Sequence, residues 1–466
     1  MASTSPTAIH IRNTTPPPLF HSLIWSRVFN ARQDHKVLPF AYTQPSTVSD
    51  IITAVEFAKS HSIRISIRSG GHSWAAWSVR HDAVLIDLVD LDKSLPGGRI
   101  QYDPSTQIVS CPPSITGEEL NNFLAERGRF FPGGHCPDVG LGGFLLQGGM
   151  GWNCKSWRWA AEYLDSLDVV TASGQHLQKI SSTFHQVLFW AARGSGPGFP
   201  AIVTRFHLKT LPLPTLYQSL YFFPITSFKQ VLQWLIHISP TIPETEIVLV
   251  TSHFAFNPTT PTILANFLTF SSSTKPLSTV HSSLPQSLTP LPQSKLSFPT
   301  TLKDQYAAQR LANPPFHHYR SDNIYLPNDL DSIPCLLEPI FTFLPTPKSS
   351  ALWFSLSPTS QKGFSSDDMA LSLQTDHYVA LYAVWEEEKD DEKCEEWIRK
   401  LGGIQNEGSY LGDADFSFRE YGVDGWRFWG EGVRERLEVV RKKWDGEGRV
   451  CGFLDNDELG LDGDEE

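Results

Sequence analysis

Two glycine-rich segments constrain this chain more than any other feature of its sequence. Arg68 to Ser73 reads Arg-Ser-Gly-Gly-His-Ser, and Cys136 to Gly143 reads Cys-Pro-Asp-Val-Gly-Leu-Gly-Gly. Because glycine has no Cβ atom, the backbone of such segments can approach a phosphate group or a flat ring closely. Each segment also carries one nucleophile, the imidazole of His72 or the thiol of Cys136. Neither segment follows the dinucleotide-binding or P-loop pattern, so nicotinamide and nucleoside-triphosphate sites are poor explanations.

Length and composition indicate a globular chain with more than one domain. At 466 residues the chain is too long for one small core, which predicts two or three domains. Hydrophobic residues make up 40% of the chain, enough to fill a large interior. The net charge is −12, but seven negative charges lie in residues 455–466, whose composition predicts disorder. Lys and Arg do not cluster, so we expect no nucleic-acid partner.

Cysteine spacing and hydropathy limit which metal sites, disulfides and cellular compartments the sequence predicts. Six cysteines are scattered without the spacing of a metal site or a disulfide scaffold, so we expect no metal. The N-terminal residues lack the apolar core of a secretory signal, and no apolar run is long enough to cross a bilayer. The default expectation is a monomeric, soluble protein of the cytoplasm without a membrane partner.

Hydrophobic periodicity in the first half of the chain predicts alternating helices and strands. Residues 51–58 carry an apolar helical stripe behind the capping candidates of Ser46 to Asp50. Residues 63–68 alternate with period two, which predicts a strand that leads directly into Gly70. Further strands are predicted over residues 83–88 and 167–172, and a helix is predicted over residues 117–124.

The composition changes after Pro212. Residues 213–395 combine aromatic-rich apolar stretches with linkers rich in Ser, Thr and Pro, notably residues 271–299. This pattern fits a second domain with long surface loops. The clearest strand in it is Tyr378 to Trp385, and the charged residues 386–396 that follow predict a solvated helix or loop.

Five motifs in matching order identify a resemblance. They are Ser69 to Ser73, Cys136 to Gly143, Gly148 to Gly151, Leu188 to Gly196 and Ala201 to Phe206. Together they are similar to the FAD-linked oxidases of the berberine-bridge-enzyme type, within the vanillyl-alcohol-oxidase superfamily. The likeness covers roughly residues 34–212, and no single motif would be specific alone.

The resemblance implies an α+β fold. Residues 34–212 would form a PCMH-type FAD-binding domain of two subdomains. Residues 213–395 would form a substrate domain, an antiparallel sheet with helices on one face that covers the flavin. Residues 396–455 would return to complete the FAD domain. A leader over residues 1–33 and an acidic disordered tail over residues 456–466 would flank these domains.

The resemblance also implies two covalent bonds to FAD. The histidine of the first loop, His72, would bond to the flavin 8α-methyl group, and Cys136 would bond to flavin C6. We expect backbone N–H dipoles in the second loop to favour the Cys136 thiolate. On the residues alone, His72 could instead lie in a surface turn, and Cys136 could be a core thiol.

Further cofactor contacts follow from the same motifs. Gly70 and Gly71 would point backbone N–H groups at the pyrophosphate, and Arg68 could offset its charge or face water. The strand containing Ile202 could contact FAD or belong to the core. The full set of implied contacts is Arg68, Ser69, Gly70, Gly71, His72, Ser73, Cys136, Val139, Gly140, Gly142, Gly143, Gly148, Gly149, Gly151, Ile202, Val203 and Tyr410.

The catalytic base is the least defined part of the site. In the family a Tyr, Glu or Asp takes a proton from the substrate while hydride leaves to the flavin. Alternation places Tyr378 and Tyr382 on one side of their strand, and either could be this base or a core tyrosine. Residues 409–415 resemble the family's Tyr-x-Asn-Tyr-x-Asp stretch, but Gly412 and Asp413 replace Asn and the second Tyr.

The function implied is an FAD-dependent oxidase that takes a hydride from a small organic substrate and reduces dioxygen to peroxide. An FAD-dependent dehydrogenase or an oxidative cyclase of secondary metabolism is the first alternative. A catalytically inert flavin-binding protein is the second, because the changes at Gly412 and Asp413 permit it. The aromatic residues of 213–395 favour a polyaromatic substrate, unless they only fill the core of the sheet.

Overall fold

The computed structural model describes residues 7–32, 36–356, 367–414 and 427–452. The strands in these ranges form sheets of four, five and seven strands and a separate two-stranded pair. Helices cover the sheets, so the predicted α+β class is confirmed, as is the antiparallel sheet with helices on one face.

The first sheet is built close to the N-terminus. Its elements are β1 (Ile9–Ile11), α1 (Pro17–Trp25), β2 (Ala41–Thr43), α2 (Val48–Ser60), β3 (Ile65–Arg68) and β4 (Val84–Asp87). The strand order is β1-β2-β4-β3, with β1 antiparallel and the others parallel. Helix α2 begins at a capping box in which Thr47 and Asp50 each accept the other's backbone N–H. Its buried face then packs on the sheet.

Residues 7–32 correct the prediction of a leader over residues 1–33. Strand β1 pairs with β2, and α1 buries Phe20, Ile24 and Trp25 against Tyr42 and Leu85 of the first sheet. Prolines at the start of α1 resemble a linker in sequence. Proline is nevertheless well tolerated in the first turn of a helix, where its missing N–H has no partner to lose.

The second sheet follows along the chain. Its region contains β5 (Gln101–Asp103), β6 (Ile108–Cys111), α3 (Gly117–Ala125), β7 (Arg129–Phe130), α4 (Leu141–Leu146), α5 (Cys154–Trp157), β8 (Leu164–Thr171), β9 (His176–Ile180), α6 (Gln186–Ala191), β10 (Ala201–Lys209) and β11 (Leu211–Pro212). Five antiparallel strands have the order β5-β6-β10-β8-β9, and β7 pairs separately with β11. The second glycine-rich segment follows β7 and continues into the first turn of α4.

The third sheet has seven antiparallel strands in the order β15-β12-β14-β13-β17-β18-β16. The elements of this region are β12 (Leu216–Pro224), α7 (Phe228–Ile238), β13 (Thr245–Phe254), β14 (Asn257–Phe270), α8 (Lys275–Ser283), β15 (Lys295–Thr300), α9 (Leu302–Ala312), β16 (His318–Leu326), α10 (Ile333–Phe341), β17 (Ser350–Ser355), β18 (His377–Trp385) and α11 (Asp391–Arg399). Helices α7, α10 and α11 pack on one face, where Ile247 and Leu249 of β13 are fully buried. The alternate residues of β13 therefore face the other way.

The C-terminal segment returns to the first two sheets. Helix α12 (Val433–Trp444) buries Leu437 and Val440 in the same core as β8 and β10. Val450 then lies beside Ile65 of β3, whose N–H donates to the carbonyl of Arg449 at 2.7 Å. The domain boundaries remain predictions, and the acidic tail lies outside the described residues.

Among the helices of the described ranges, none combines the length and the hydropathy required to cross a membrane. Within the same ranges, no group of three or more His, Cys, Asp or Glu side chains could hold a metal ion.

Candidate active site

A large cavity lies between the glycine-rich loops and the open face of the seven-stranded sheet. Its volume is about 1300 Å³, above the roughly 300–1,000 Å³ typical of a pocket for one small molecule. Both glycine-rich segments line it, as do residues of β12, β13, β14, β17 and β18. The space is therefore sufficient for a cofactor and a substrate together.

The two glycine-rich segments contact each other directly. A Cβ atom on Gly70 would lie 2.7 Å from the backbone nitrogen of Gly140, and one on Gly142 would lie 2.6 Å from Oγ of Ser69. These glycines thus allow one loop to pack on the other, a reason that the sequence did not indicate. Gly143 differs, because a Cβ there would meet no atom within 4 Å.

His72 has a fixed ring plane within the cavity wall. Its imidazole stacks on Phe29, with ring centroids 4.0 Å apart and planes inclined by 22°. The edge of Trp74 approaches at 5.8 Å. Nε2 of His72 lies 3.1 Å from Oδ1 of Asp138, which follows Cys136 by two residues. This hydrogen bond joins the first glycine-rich loop to the second.

Cys136 lines the same cavity and is half-buried. Its Sγ lies 3.8 Å from Nδ2 of Asn313, just after α9. Burial raises the pKa of the Cys136 thiol to about 12, and the charges of Asp138 and Asp413 add to this effect. The expectation that this loop favours the thiolate is therefore wrong, because burial and, after it, the two carboxylates raise the pKa of the thiol.

The structure also corrects the part predicted for Arg68. Its guanidinium is fully buried and bonds Oδ2 of Asp87 through Nε at 2.9 Å and Nη2 at 2.8 Å. It also donates to the carbonyls of Leu23 and Ile24 at the end of α1. The guanidinium therefore joins α1 to the first sheet and is not directed at a cofactor phosphate.

Most of the other predicted cofactor contacts do line the cavity. These are Ser69, Gly70, Gly71, Ser73, Val139, Gly140, Gly142, Gly143, Val203 and Tyr410. Four others pack against protein and not against the cavity: Gly148, Gly149, Gly151 and Ile202. A Cβ on Gly149 would meet Ala160 and Phe144 at 2.9 Å, so this glycine is required by internal packing.

A carboxylate and two phenols meet at one wall of the cavity. Oδ2 of Asp413 accepts hydrogen bonds from the hydroxyl groups of Tyr378 at 2.6 Å and Tyr382 at 3.2 Å. Nε1 of Trp74 lies 3.5 Å from Oδ1 of Asp413. Burial, followed by the charge of Asp413, raises the pKa of both tyrosines well above 10.0. Both phenols therefore keep their protons, and the proton acceptor of this cluster is Asp413.

Sequence patterns alone did not identify Asp413 as a functional residue. Its signal was the departure from the Tyr-x-Asn-Tyr-x-Asp stretch, where an ionisable group replaces a tyrosine. Ser321 on β16 donates to the main-chain carbonyl of Asp413 at 2.6 Å, which fixes this short segment against the sheet.

A second acid–base pair lies elsewhere on the cavity wall. Oε2 of Glu246 on β13 is 3.1 Å from Nε2 of His135 and accepts the N–H of Asn153 at 2.7 Å. The Glu246 side chain is only 2% exposed, whereas His135 is 24% exposed. The sequence patterns did not identify Glu246, because the pair joins a loop residue to a strand more than 100 positions away.

The sheet face around these groups mixes aliphatic, aromatic and polar side chains. Its aliphatic residues at the cavity are Leu220, Val248, Val250, Leu264 and Leu352, and its aromatic residues there include Phe254, Phe298 and Phe354. Many aromatic residues of the same sheet instead fill the core beneath the helices, including Tyr221, Phe223, Trp234, Phe267 and Trp353. The aromatic residues of 213–395 are therefore divided between this core and the cavity wall, and the polyaromatic substrate stays a prediction.

Similarity to known proteins identifies the family. Residues 39–178, which contain both glycine-rich segments, match the family described as FAD binding domain. Over 436 residues the chain is 38% identical to the FAD-linked oxidoreductase ptmO of Penicillium ochrochloron, covering 92% of this chain and 93% of that protein. The chain belongs to the FAD-linked oxidoreductases.

Solved structures of flavoenzymes share the fold of this oxidoreductase. BBE-like 1 of Physcomitrella patens has a TM-score of 0.78 at 16% identity and covers 96% of both chains. 6-Hydroxy-D-nicotine oxidase of Arthrobacter nicotinovorans has a TM-score of 0.79 at 17% identity, covering 97% of this chain and 99% of that one. At these identities the likeness concerns the fold alone.

The residues of this oxidoreductase fit its FAD cofactor. Backbone of both glycine-rich loops is exposed to the cavity, and Gly143 leaves open space where a side chain would stand. Tyr410 lines the same wall, with its hydroxyl accepting the N–H of Met150 at 3.1 Å. Both nucleophiles named from the sequence lie within this cavity.

Proposed function

We propose that this FAD-linked oxidoreductase is an oxidase. It takes a hydride from a small organic substrate and transfers two electrons to dioxygen, forming peroxide. The observation that carries this proposal is the Asp413 carboxylate, held by two tyrosine hydroxyls in the cavity that His72 and Cys136 also line. An inert flavin-binding protein would have no need for such an acceptor.

Asp413 is the base of the proposed reaction. Oxidation of an alcohol or amine removes a hydride from carbon and a proton from the attached oxygen or nitrogen. FAD, when bound, supplies the two-electron acceptor. Asp413 takes the proton, because it is the hydrogen-bond acceptor of the cluster and it lines the cavity.

Tyr378 and Tyr382 position that carboxylate. Each phenol donates to Oδ2 of Asp413, which leaves Oδ1 to face the substrate beside the indole of Trp74. The raised pKa of both phenols keeps them protonated, so they act as donors and not as bases. This proposal replaces the interpretation of either tyrosine as the base.

The proposed attachment of FAD is bicovalent, through His72 and Cys136. Both side chains reach one cavity, and the loops that carry them touch at Gly70 and Gly140. An imidazole bonded to the flavin withdraws electron density from it, which raises its reduction potential. The enzyme works as a monomer. Its substrate is a small organic molecule with both apolar and polar groups, since aliphatic, aromatic and polar side chains of the sheet line the cavity.

Reoxidation of reduced enzyme tests the oxidase proposal without a known substrate. The purified protein is reduced with dithionite under argon and then mixed with buffer containing dioxygen. Rapid return of the oxidised flavin spectrum, with one peroxide formed per flavin, supports the oxidase. A reduced spectrum that persists in air contradicts it and identifies a dehydrogenase.

An oxidative cyclase is the second candidate, and the His135–Glu246 pair favours it. Strand β17 separates β13, which carries Glu246, from β18, which carries Tyr378, so this pair and the Asp413 cluster lie at different places on one cavity wall. Ring closure after hydride loss requires deprotonation of a second substrate group. Hydroxylamine traps the carbonyl product of an oxidase but leaves a cyclised product of equal mass unchanged.

A further inference from the structure

We propose that Asp138 is a positioning residue for attachment of the flavin to His72 and that it does not assist attachment to Cys136. This inference rests on the bicovalent cofactor of the proposed function. Asp138 lies within the second glycine-rich loop, and its carboxylate reaches the imidazole of the first. Asp138 thus connects the two loops whose side chains would form the proposed covalent bonds.

The hydrogen bond sets the tautomer of His72. A carboxylate accepts but does not donate, so Nε2 of His72 carries the proton that Oδ1 of Asp138 accepts at 3.1 Å. Nδ1 then keeps its lone pair. Within the described residues Nδ1 has no hydrogen-bond partner, and it is the nucleophilic atom of the ring.

The orientation of the ring is fixed independently of Asp138. Phe29 stacks on the imidazole face at 4.0 Å, and the N–H of Phe29 donates to the carbonyl of Gly71 at 3.0 Å. Trp74 adds an edge contact at 5.8 Å. The removal of Asp138 should therefore release the tautomer of His72 while these packing contacts hold the ring in place.

The charge of Asp138 acts in opposite directions on the two nucleophiles. Burial alone would raise the pKa of Asp138, but its hydrogen bond with His72 lowers it below the usual value. The ionised carboxylate stabilises positive charge that develops on the imidazole as Nδ1 forms a bond. The same carboxylate raises the pKa of the Cys136 thiol, which opposes formation of the thiolate.

Formation of the bond between His72 and the flavin balances in atoms and electrons when dioxygen is the oxidant. Nδ1 of His72 joins the 8α carbon, the methyl group loses one hydrogen, and the imidazole loses its N–H proton. The two electrons and two protons released convert dioxygen to hydrogen peroxide. Asp138 stabilises the imidazole proton until it leaves to solvent.

Two single-nucleophile backgrounds separate the routes of attachment. Full-length Cys136→Ala attaches flavin only through His72, and His72→Ala only through Cys136. Asp138→Asn, which keeps the shape but removes the charge, is added to each background. FAD is supplied to the apoprotein, and covalent flavin is measured over time as colour and fluorescence retained after acid precipitation. Flavin bound before precipitation reports intact folding.

In the Cys136→Ala background, we expect Asp138→Asn to slow attachment about tenfold or more, because a neutral amide does not stabilise positive charge on the imidazole as a carboxylate does. In the His72→Ala background, attachment should be unchanged or faster. Asp138→Glu should restore attachment in the first background. The peptide-bound flavin should show the histidyl spectrum only when His72 is present.

Three outcomes would overturn the inference. Equal rates with and without Asp138→Asn in the Cys136→Ala background would show that the carboxylate is dispensable, while the proposed function would stand. Equal losses in both backgrounds, with less FAD bound before precipitation, would show a structural role only. Absence of covalent flavin from Cys136→Ala itself would overturn both the bicovalent cofactor and this inference.

Discussion

At the scale of single residues, Asp413 determines what the two tyrosines beside it can do. Its charge, added to burial, raises the pKa of Tyr378 and Tyr382, so both phenols remain hydrogen-bond donors. A carboxylate that accepts two such bonds is held in one orientation. The proposed reaction therefore uses three residues as one unit, with the proton going to Asp413.

Replacement of Asp413 by Asn tests this assignment. The amide keeps the shape of the side chain but cannot take a proton, so flavin reduction by a turnover substrate should slow by about 10²–10⁴-fold. Stopped-flow absorbance under argon measures that rate. Tyr382→Phe serves as the matched control, because it removes only the longer hydrogen bond, 3.2 Å, and should cost much less.

The flavin content of Asp413→Asn should equal that of wild type. A variant that binds FAD normally and reduces at the wild-type rate would exclude Asp413 as the base. A rate loss as large in Tyr382→Phe as in Asp413→Asn would indicate that the cluster acts by packing alone.

Individual residues of the site differed in how well the sequence predicted them. His72 and Cys136 could be predicted from their motifs, because both the residue type and the glycine-rich loop around it match the family that the sequence resembles. Arg68 was misleading, because the sequence did not reveal that Asp87 lies next to it in the fold. Asp413 was missed because its importance depends on two tyrosines more than 30 positions away.

At the scale of elements, the short helix α5 connects the cofactor loops to the seven-stranded sheet. Nζ of Lys155 on α5 donates to the carbonyls of Ser239 at 2.5 Å, Ile242 at 3.1 Å and Thr245 at 3.4 Å. These carbonyls lie between the end of α7 and the start of β13. Burial lowers the pKa of Lys155 to about 7.

This buried lysine predicts a pH dependence of stability. The ordinary pKa of 10.5 applies to the unfolded chain, so between about pH 7 and 10.5 the unfolded state binds a proton that the folded state lacks. Stability therefore rises with pH across this window. The slope reaches at most about 1.4 kcal/mol per pH unit, and the three hydrogen bonds to carbonyls reduce it.

Urea unfolding of wild type and Lys155→Met at several pH values measures this effect. The free energy of unfolding of wild type should increase relative to that of Lys155→Met as the pH rises above 7. Lys303→Met, at an exposed position on α9, removes the same charge from the surface and should follow wild type at every pH. Parallel curves for wild type and Lys155→Met would contradict the prediction.

Elements with strong periodicity were predicted, and short or atypical ones were not. Strands β3, β4, β8 and β18 and helix α3 lie where alternation or an apolar stripe placed them. Strand β1 has only three residues, which are too few to show an alternation of apolar and polar residues. Helix α8 and strand β15 lie in the stretch predicted as linkers, because tertiary packing overrides the weak propensities of Ser, Thr and Pro.

At the scale of the whole molecule, separate parts of the fold form the walls of the cavity. The first glycine-rich loop follows β3, the second runs into the start of α4, and the opposite wall is the seven-stranded sheet. No local pattern in the sequence encodes this meeting. The meeting of the two loops and the sheet could be predicted only through the family resemblance, because motifs in this order are expected to adopt the family's three-dimensional arrangement.

Because parts far apart in the chain form this wall, bound FAD should stabilise the molecule as a whole. The double variant His72→Ala/Cys136→Ala retains the cavity but can hold FAD only reversibly. Its free energy of unfolding should therefore rise by about 1.4 kcal/mol for each tenfold increase of free FAD above Kd. Thermal melting with added FAD measures this, and Tm should increase steadily with FAD concentration.

Wild type provides the contrast, because under the proposed bicovalent attachment one equivalent of flavin already fills the site and added FAD has none to occupy. Its Tm should stay constant over the same FAD series, and each single variant should behave like wild type. An FAD-dependent Tm in wild type would mean that the cofactor is not tethered. A double variant whose Tm ignores FAD, with no flavin bound, would mean that the bonds are required for the cofactor to be held at all.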